Sequence, residues 1–324
     1  MHPSEVLFQG TQHPVTLPAC DHYAGSEKLM RKSIALQQQL GPVFDITFDC
    51  EDGAAAGNEA AHAALVAALI ADPDANRFNR IGVRVHDIDS NHFEADVATI
   101  CATAAQQLAY LVIPKVESLA QLKTAIAMVS RHAQAAGRAD LPIHVLIETH
   151  RALHEVWEIA ALPAVQCLSF GIMDFVSAHY GSIAADAMQS PGQFSHPLVV
   201  RAKLGIAAAC HAHGKIASHN VTTDIRQPSL AASDARRAAQ EFGFERMWSI
   251  HPDQIVPIVE AFAPDSNEVM KAVEILSAAQ AQSWGPIQYQ GTLHDRASYR
   301  YYWTLLQKAR HGGLPLPAAA SSLH

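Results

Sequence analysis

Ile143-His144-Val145-Leu146-Ile147-Glu148-Thr149 is a short apolar run, rich in β-branched residues, that stops on a carboxylate. Pro142 punctuates its start, and a helical pattern over Arg151 to Ala161 follows. A buried strand that ends on Glu and passes straight into a helix is where α/β proteins set a catalytic or metal-binding group. One such acid is more simply a solvated strand terminus. Recurrence along the chain distinguishes the two.

The design does recur. Upstream, Val43 to Phe48 runs into the acidic turn Asp49-Cys50-Glu51-Asp52-Gly53, Arg80 to Asp87 carries Arg84, and Tyr110 to Glu117 carries Lys115. Downstream, Gln166 to Asp174 is turned by Gly171 onto Asp174, Ile216 to Val221 leads to Asp224, and Arg246 to Ile250 reaches His251. Pro14 to Pro18 supplies a first strand. Helices are expected between them: Ser26 to Leu40, with Ser26 as N-cap and Gly41-Pro42 as the stop, then Asn58 to Ala71 and His92 to Gln107. Ser118 to Ala136, Leu198 to His213 and Ala231 to Phe242 complete the series.

The strand ends fall 31 residues apart from Arg84 to Lys115, 33 from Lys115 to Glu148, 26 from Glu148 to Asp174 and 27 from Asp224 to His251. About 30 residues is one strand–helix crossover. Eight strands alternating with helices over about 240 residues predict an α/β fold of the (β/α)8 TIM-barrel type. An open doubly wound sheet is the rival, and no G-x-G-x-x-G or G-x-x-x-x-G-K-[ST] supports a nucleotide-binding version of it.

The expected organisation is a disordered tail over 1–12, a barrel over 13–262 and a C-terminal helical extension over 263–324. The run Glu5 to Gly10 resembles an engineered protease site and stays outside the fold argument. The extension carries helices at Ser266 to Gln282 and Asp295 to Ala309. Its Tyr299, Tyr301, Tyr302 and Trp303 form a surface to be covered by the barrel or by another subunit.

A formal charge of −8, with no Lys or Arg run, argues against nucleic-acid or membrane-surface partners. Five Cys, scattered singly, read as buried thiols of a cytoplasmic protein, and no stretch is long enough for a membrane span. Nineteen His invite a zinc test. The candidates are His150/His154 at i, i+4 and the looser pair His211/His213; neither has a third ligand nearby.

In a barrel the strand ends converge on one mouth, which here gathers Glu51, Asp52, Arg84, Lys115, Glu117, Glu148, Asp174, Asp224 and His251. Neighbouring strands lie roughly 5 Å apart, so Glu148 and Asp174 can share one ion. Two carboxylates with water and substrate oxygens suit Mg2+ better than zinc. Arg84 is placed to clamp a substrate carboxylate or oxyanion, with Lys115, Glu51, Asp52 and Glu148 also at the substrate. Metal plus guanidinium stabilising an enolate is aldolase or lyase chemistry.

These residues also resemble a family, the citrate lyase β-subunit-like (HpcH/HpaI aldolase) proteins, over about Val15 to Gln307. The likeness rests on Asp49-Cys-Glu-Asp-Gly53, Val83-Arg84-Val85, Pro114-Lys115-Val-Glu117-Ser118, Leu146-Ile-Glu148-Thr149, Gly171-Ile-Met-Asp174-Phe175, Thr223-Asp224 and Ile250-His251-Pro252. It implies a Mg2+ held by Glu148 and Asp174, substrate contact by Arg84, and a homotrimer or homohexamer in which the C-terminal segment covers a neighbour's site. In the acyl-CoA lyase branch a G-x-x-x-D motif delivers a catalytic aspartate; Gly291-Thr-Leu-His-Asp295 matches it and makes Asp295 the acid/base. Asp295 is equally the N-cap of the aromatic helix. The implied reaction is carbon–carbon cleavage of a malyl-, citramalyl- or citryl-type CoA thioester. Two other readings stand beside it. One is a metal aldolase for free 4-hydroxy-2-oxo acids, using His86-Asp87 or His150; the other is a non-catalytic acyl-CoA or dicarboxylate binder. The Arg-Ser of the family's first strand has no counterpart at Pro14-Val-Thr16, and its Gly-Lys before the last strand is replaced by Glu245-Arg246, so the CoA contacts do not transfer.

Overall fold

Asp45, Thr47 and Asp49 alternate along one strand, and all three are buried. That pattern belongs to a strand whose polar face looks into a barrel. In the computed structural model, which describes residues 3–8 and 15–323, eight parallel strands close in sequence order. They are β1 (Cys20–Ala24), β2 (Phe44–Asp49), β3 (Ile81–Arg84), β4 (Leu111–Ile113), β5 (Ile143–Ile147), β6 (Val165–Phe170), β7 (Ile216–His219) and β8 (Arg246–Ser249). The protein is a (β/α)8 barrel. The helices of this part are α2 (Glu27–Leu40), α3 (Glu59–Ala71), α4 (Phe93–Ala104), α5 (Leu119–Ala135), α6 (His150–His154), α7 (Val156–Ala160), α8 (Ile172–Ser177), α9 (Pro197–Ala212), α10 (Pro228–Phe242) and α11 (Ile255–Phe262).

Residues paired across parallel strands share a face. Following the register from Asp49 to Arg84, Val112, His144, then Leu146 to Ser169, Ser218, Arg246, and Trp248 to Asp21 and Asp45 traces the inward ring. At its base Arg246 is fully buried, with Nη2 2.7 Å from Asp45 Oδ2 and 3.3 Å from Asp21 Oδ2. Tyr110 Oη donates to Asp21 at 3.0 Å and lies 2.9 Å from Thr47 Oγ1, and its ring stacks on His144 at 3.8 Å. Gly82 makes room for that ring, since a Cβ there would stand 2.2 Å from it. Burial pushes the Asp45 carboxyl up to about 6 even beside Arg246.

Two features of the barrel depart from the sequence reading, one at the first strand and one after β5. Residues 15–18 carry no strand, and β1 lies instead at Cys20–Ala24. Its Cys-Asp-His-Tyr-Ala sequence lacks apolar alternation because its inward residues, Asp21 and Tyr23, face a polar barrel. The helix expected over Arg151 to Ala161 is two short ones, interrupted at Glu155.

Contact clustering divides the chain into residues 17–261 and a second unit made of residues 1–16 and 262–324. In the second unit α12 (Ser266–Ala281), α13 (Arg296–His311) and the antiparallel hairpin of β9 (Ile287–Tyr289) and β10 (Thr292–His294) bury Leu276, Trp284, Tyr299, Trp303 and Leu306. Where a disordered tail is expected over 1–12, α1 (Pro3–Leu7) forms and buries Val6 and Leu7 in this cluster, because the pair is apolar. Residues 9–12 lie outside the described residues. Tyr299 and Trp303, expected on a surface awaiting cover, are core residues of this unit, while Tyr301 remains 58% exposed.

Candidate active site at the barrel mouth

Glu148 follows β5 directly and is only 2% exposed. Asp174 is not at a strand end: β6 stops at Phe170, and Asp174 sits in the first turn of α8, for which Gly171 is the N-cap. Asp174 is close enough for its charge to act on Glu148. Burial, and after it the charge of Asp174, pushes the Glu148 carboxyl up to about 8, against the opposing pull of the Lys115 amide and Arg84. Gly171 is a cradle for this acid, since a Cβ there would lie 2.3 Å from Glu148 Oε2. Lys115 occupies the left-handed region at φ 49°, which aims its N–H at Glu148 Oε1 over 2.5 Å.

Arg84 is buried and held from two sides. Its Nε donates to Asp49 Oδ1 at 2.8 Å and its Nη2 to Asp49 Oδ2 at 2.5 Å, while Nη1 lies 2.9 Å from Glu51 Oε2. Those contacts use three of the five guanidinium N–H groups and fix its plane, leaving two for a ligand. Glu51 also pairs with Lys115 Nζ, which lies 3.0 Å from Asp52 Oδ2. Burial works against the Lys115 ammonium, yet Glu51 and Asp52 hold its pKa above the ordinary value. Glu51 is thus a link between Arg84 and Lys115, and its side chain is 4% exposed.

A cavity of about 410 Å3 opens between these groups, lined by Arg84, Glu148, Asp174, Asp49 and Asp52, and also by Tyr23, Asn220, Trp248 and Phe170. A second cavity of about 370 Å3 shares Asp52 with it and is lined by Glu51, Lys115, Glu59, His62, His86 and Asp87. The structure therefore brings six of the expected residues to one mouth: Glu51, Asp52, Arg84, Lys115, Glu148 and Asp174. Three are turned elsewhere. Glu117 faces Arg151 at 3.9 Å, Asp224 pairs with Arg226 at 3.3 Å, and His251 caps the 3-10 turn Pro252–Gln254. Asp295 belongs to the second unit, where it is exposed and caps α13, accepting from the Ala297 N–H at 2.9 Å. Sequence reasoning missed Tyr23, Asn220 and Trp248. Their signal was inward register, which for Tyr23 is legible only once β1 is placed at Cys20–Ala24.

The donor set suits a hard cation. Two near-neighbouring carboxyl groups, one pushed strongly toward its neutral form, are an arrangement that a divalent cation stabilises, and both supply oxygen. Among the described residues no three His, Cys, Asp or Glu converge as a metal cluster, and water and substrate would complete a shell on Glu148 and Asp174; His150, expected beside His154, meets His179. His86 Nδ1 lies 2.6 Å from Asp96, and His150 Nε2 2.5 Å from His179 Nε2. The five Cys are free and buried, and no described helix is long and apolar enough to cross a membrane.

A TIM barrel whose mouth sets a carboxylate pair against a locked guanidinium can stabilise the enolate that a carbon–carbon lyase forms. Residues 33–252 match the HpcH/HpaI aldolase/citrate lyase family, and the chain belongs to it. It is a carbon–carbon lyase of this family. A crystal structure of a citrate lyase from Burkholderia xenovorans LB400 is 55% identical, with a TM-score of 0.87 and full coverage of both chains. The L-malyl-CoA/beta-methylmalyl-CoA lyase of Cereibacter sphaeroides is 31% identical across 82% of this chain and 86% of its own length. At 22% identity and TM-score 0.68, the protein CitE of Mycobacterium tuberculosis, solved with magnesium, acetoacetate and coenzyme A, shares the fold over 91% of this chain and 99% of that one.

Proposed function

We propose that this protein is a Mg2+-dependent lyase that cleaves or forms a 3-hydroxy-acyl-CoA carboxylate of the malyl-, citramalyl- or citryl-CoA type. The observation that carries the reading is the buried Glu148 beside Asp174, facing the same cavity as Arg84. The 31% identity to a malyl-CoA/beta-methylmalyl-CoA lyase supports the substrate class. Glu148 and Asp174 would hold Mg2+, which supplies positive charge to the substrate carboxylate and hydroxyl oxygens when bound. Arg84, fixed by Asp49 and Glu51, takes the same end of the substrate with its two remaining N–H groups. Glu51, Asp52 and Lys115 line the approach, and they set the Arg84 plane and the Glu148 orientation.

The Asp295 carboxylate takes the hydroxyl proton, the hydroxyl carbon becomes the carbonyl of the released 2-oxo acid as the C–C electron pair passes into the thioester enolate, and Asp295 returns the proton to the enolate carbon. In this reading Asp295 comes from a neighbouring subunit of a homotrimer or homohexamer, with residues 263–324 as the covering segment. Its exposure, and the match of Gly291 to Asp295 to the family's motif, support that placement. The barrel reading runs over 13–262 and the working compartment is the cytoplasm.

The test is an assay of purified protein with Mg2+, comparing malyl-CoA and citramalyl-CoA with free 4-hydroxy-2-oxo acids. Thioester cleavage that disappears in Glu148→Ala, with an unchanged circular-dichroism spectrum, is the expected result. Turnover of free acids alone would replace this reading with the aldolase one, and undiminished turnover in Glu148→Ala would remove the metal assignment.

A further inference from the structure

Three buried polar atoms of residues that line the main cavity have no hydrogen-bond partner: Asn220 Oδ1 and, on two facing rings, Tyr23 Oη and Trp248 Nε1. The rings stack, with centroids 4.4 Å apart and planes inclined by 19°. They sit on β1 and β8. In a closed ring of eight strands β1 is four places from β5 in either direction, so Tyr23 stands across the mouth from Glu148. Trp248 is 8% exposed. Leaving an indole N–H or a phenol O–H buried without a partner is unfavourable, so two such atoms beside one cavity call for a ligand or ordered water.

We infer that Tyr23 Oη and Trp248 Nε1 form the second pole of the substrate site, donating to the carbonyl oxygen at the end of the substrate remote from Glu148 and Asp174. The two ring groups meet best on one acceptor atom of a ligand. Indole N–H is solely a donor, and burial holds the Tyr23 phenol well above its ordinary pKa, so it keeps its proton. Both therefore ask for an acceptor, and the stacked rings give a flat wall for a planar group. In a malyl-type thioester that atom is the thioester carbonyl, whose oxygen gains charge as the C–C bond breaks; two preset donors are what such an oxygen needs. Asn220 adds an acceptor. The register His219 to Met247 sets it opposite Trp248, its Oδ1 is unpartnered, and its Nδ2 is anchored 2.9 Å from Gln193 Oε1, itself held by the buried Lys203 at 2.9 Å.

This inference rests on the proposed lyase reading and deepens it. The experiment is calorimetric titration of the full chain, with saturating Mg2+, by pyruvate and by oxaloacetate. These share the 2-oxo acid end and differ by one carboxylate, which stands where the thioester carbonyl would. Tyr23→Phe and Trp248→Phe are each expected to weaken oxaloacetate binding about tenfold, one lost hydrogen bond to a charged group, while pyruvate binding stays as in the parent. Equal losses for both acids would make the pair structural, and unchanged oxaloacetate binding in the near-isosteric Tyr23→Phe would remove the phenol; either overturns the inference and leaves the lyase reading in place. Parent protein that binds neither acid would also overturn the inference, while the lyase reading falls only if the Mg2+ assay shows no thioester cleavage.

Discussion

The main-chain N–H of Lys115 holds Glu148: it donates to Oε1 over 2.5 Å from a residue locked at φ 49°. The Lys115 side chain is engaged separately, with Glu51 and Asp52. Main chain and ammonium are therefore separable by mutation. Lys115→Gly keeps the N–H and suits the left-handed conformation. It is expected to keep Mg2+ affinity within about threefold, since the ion pair lost is partly exposed and worth less than about 1 kcal/mol. Lys115→Pro, which removes the donor, is expected to weaken Mg2+ binding sharply. Calorimetry with Mg2+ separates the two.

Gly171→Ala tests the cradle behind the acid. A Cβ 2.3 Å from Glu148 Oε2 displaces the carboxylate, and outer contacts of a metal ligand are typically worth about 10–100-fold in affinity. A loss of that size, with helical content retained, is the expected outcome in a Mg2+ titration followed by circular dichroism.

The raised Glu148 pKa has a definite sign. Its carboxyl titrates at about 8 in the fold against 4.5 ordinarily, so the folded state holds the proton more tightly. Its stabilising contribution is full below 4.5 and is lost as pH rises through 8. Without divalent cations the Tm is expected to fall across that window, whereas Mg2+ binding tightens across it because the cation displaces the proton. Thermal melts in chelator and in Mg2+, from pH 5 to 8.5, give both slopes.

Asp295 can be separated from its capping role. Asn caps a helix as well as Asp does, so Asp295→Asn is expected to leave the unfolding free energy within about 0.5 kcal/mol of the parent while abolishing turnover. If the residue acts on a neighbouring subunit, Glu148→Ala and Asp295→Asn chains, each inactive alone, are expected to recover about a quarter of parental activity when co-assembled in equal amounts, because half the sites keep Glu148 and half of those receive an intact Asp295. Absence of recovery in mixed assemblies would place Asp295 within its own chain.

The barrel was readable from strand ends, because most of β2 to β8 stop at or just before a charged or polar turn and helices follow at regular distance. What escaped was β1. Strand recognition depends on apolar alternation, and Cys20–Ala24 turns Asp21 and Tyr23 inward to a polar interior. The same misplacement hid the Tyr23–Trp248 wall. Arg84 and Glu148 were visible as candidates, but not that Asp49 and Glu51 would fix the guanidinium, since that depends on register rather than spacing. Asp224 and His251 were drawn in by position alone; their nearest groups, Arg226 and the following turn, hold them away.

The buried Arg246 at the barrel base has a consequence for how the ring assembles. It is on the last strand, while its partners Asp21 and Asp45 are on the first two, separated from it by more than 200 residues of chain. A barrel lacking β8 would leave two acids facing a low-dielectric interior without their cation, a costly state. Arg246 thus works as a fastening that engages only when the ring shuts, making an open, seven-stranded sheet a poor resting place and closure an all-or-none event. A chain re-cut between β8 and the second unit would keep that fastening, whereas one truncated before β8 would forfeit it and expose the seam to other chains.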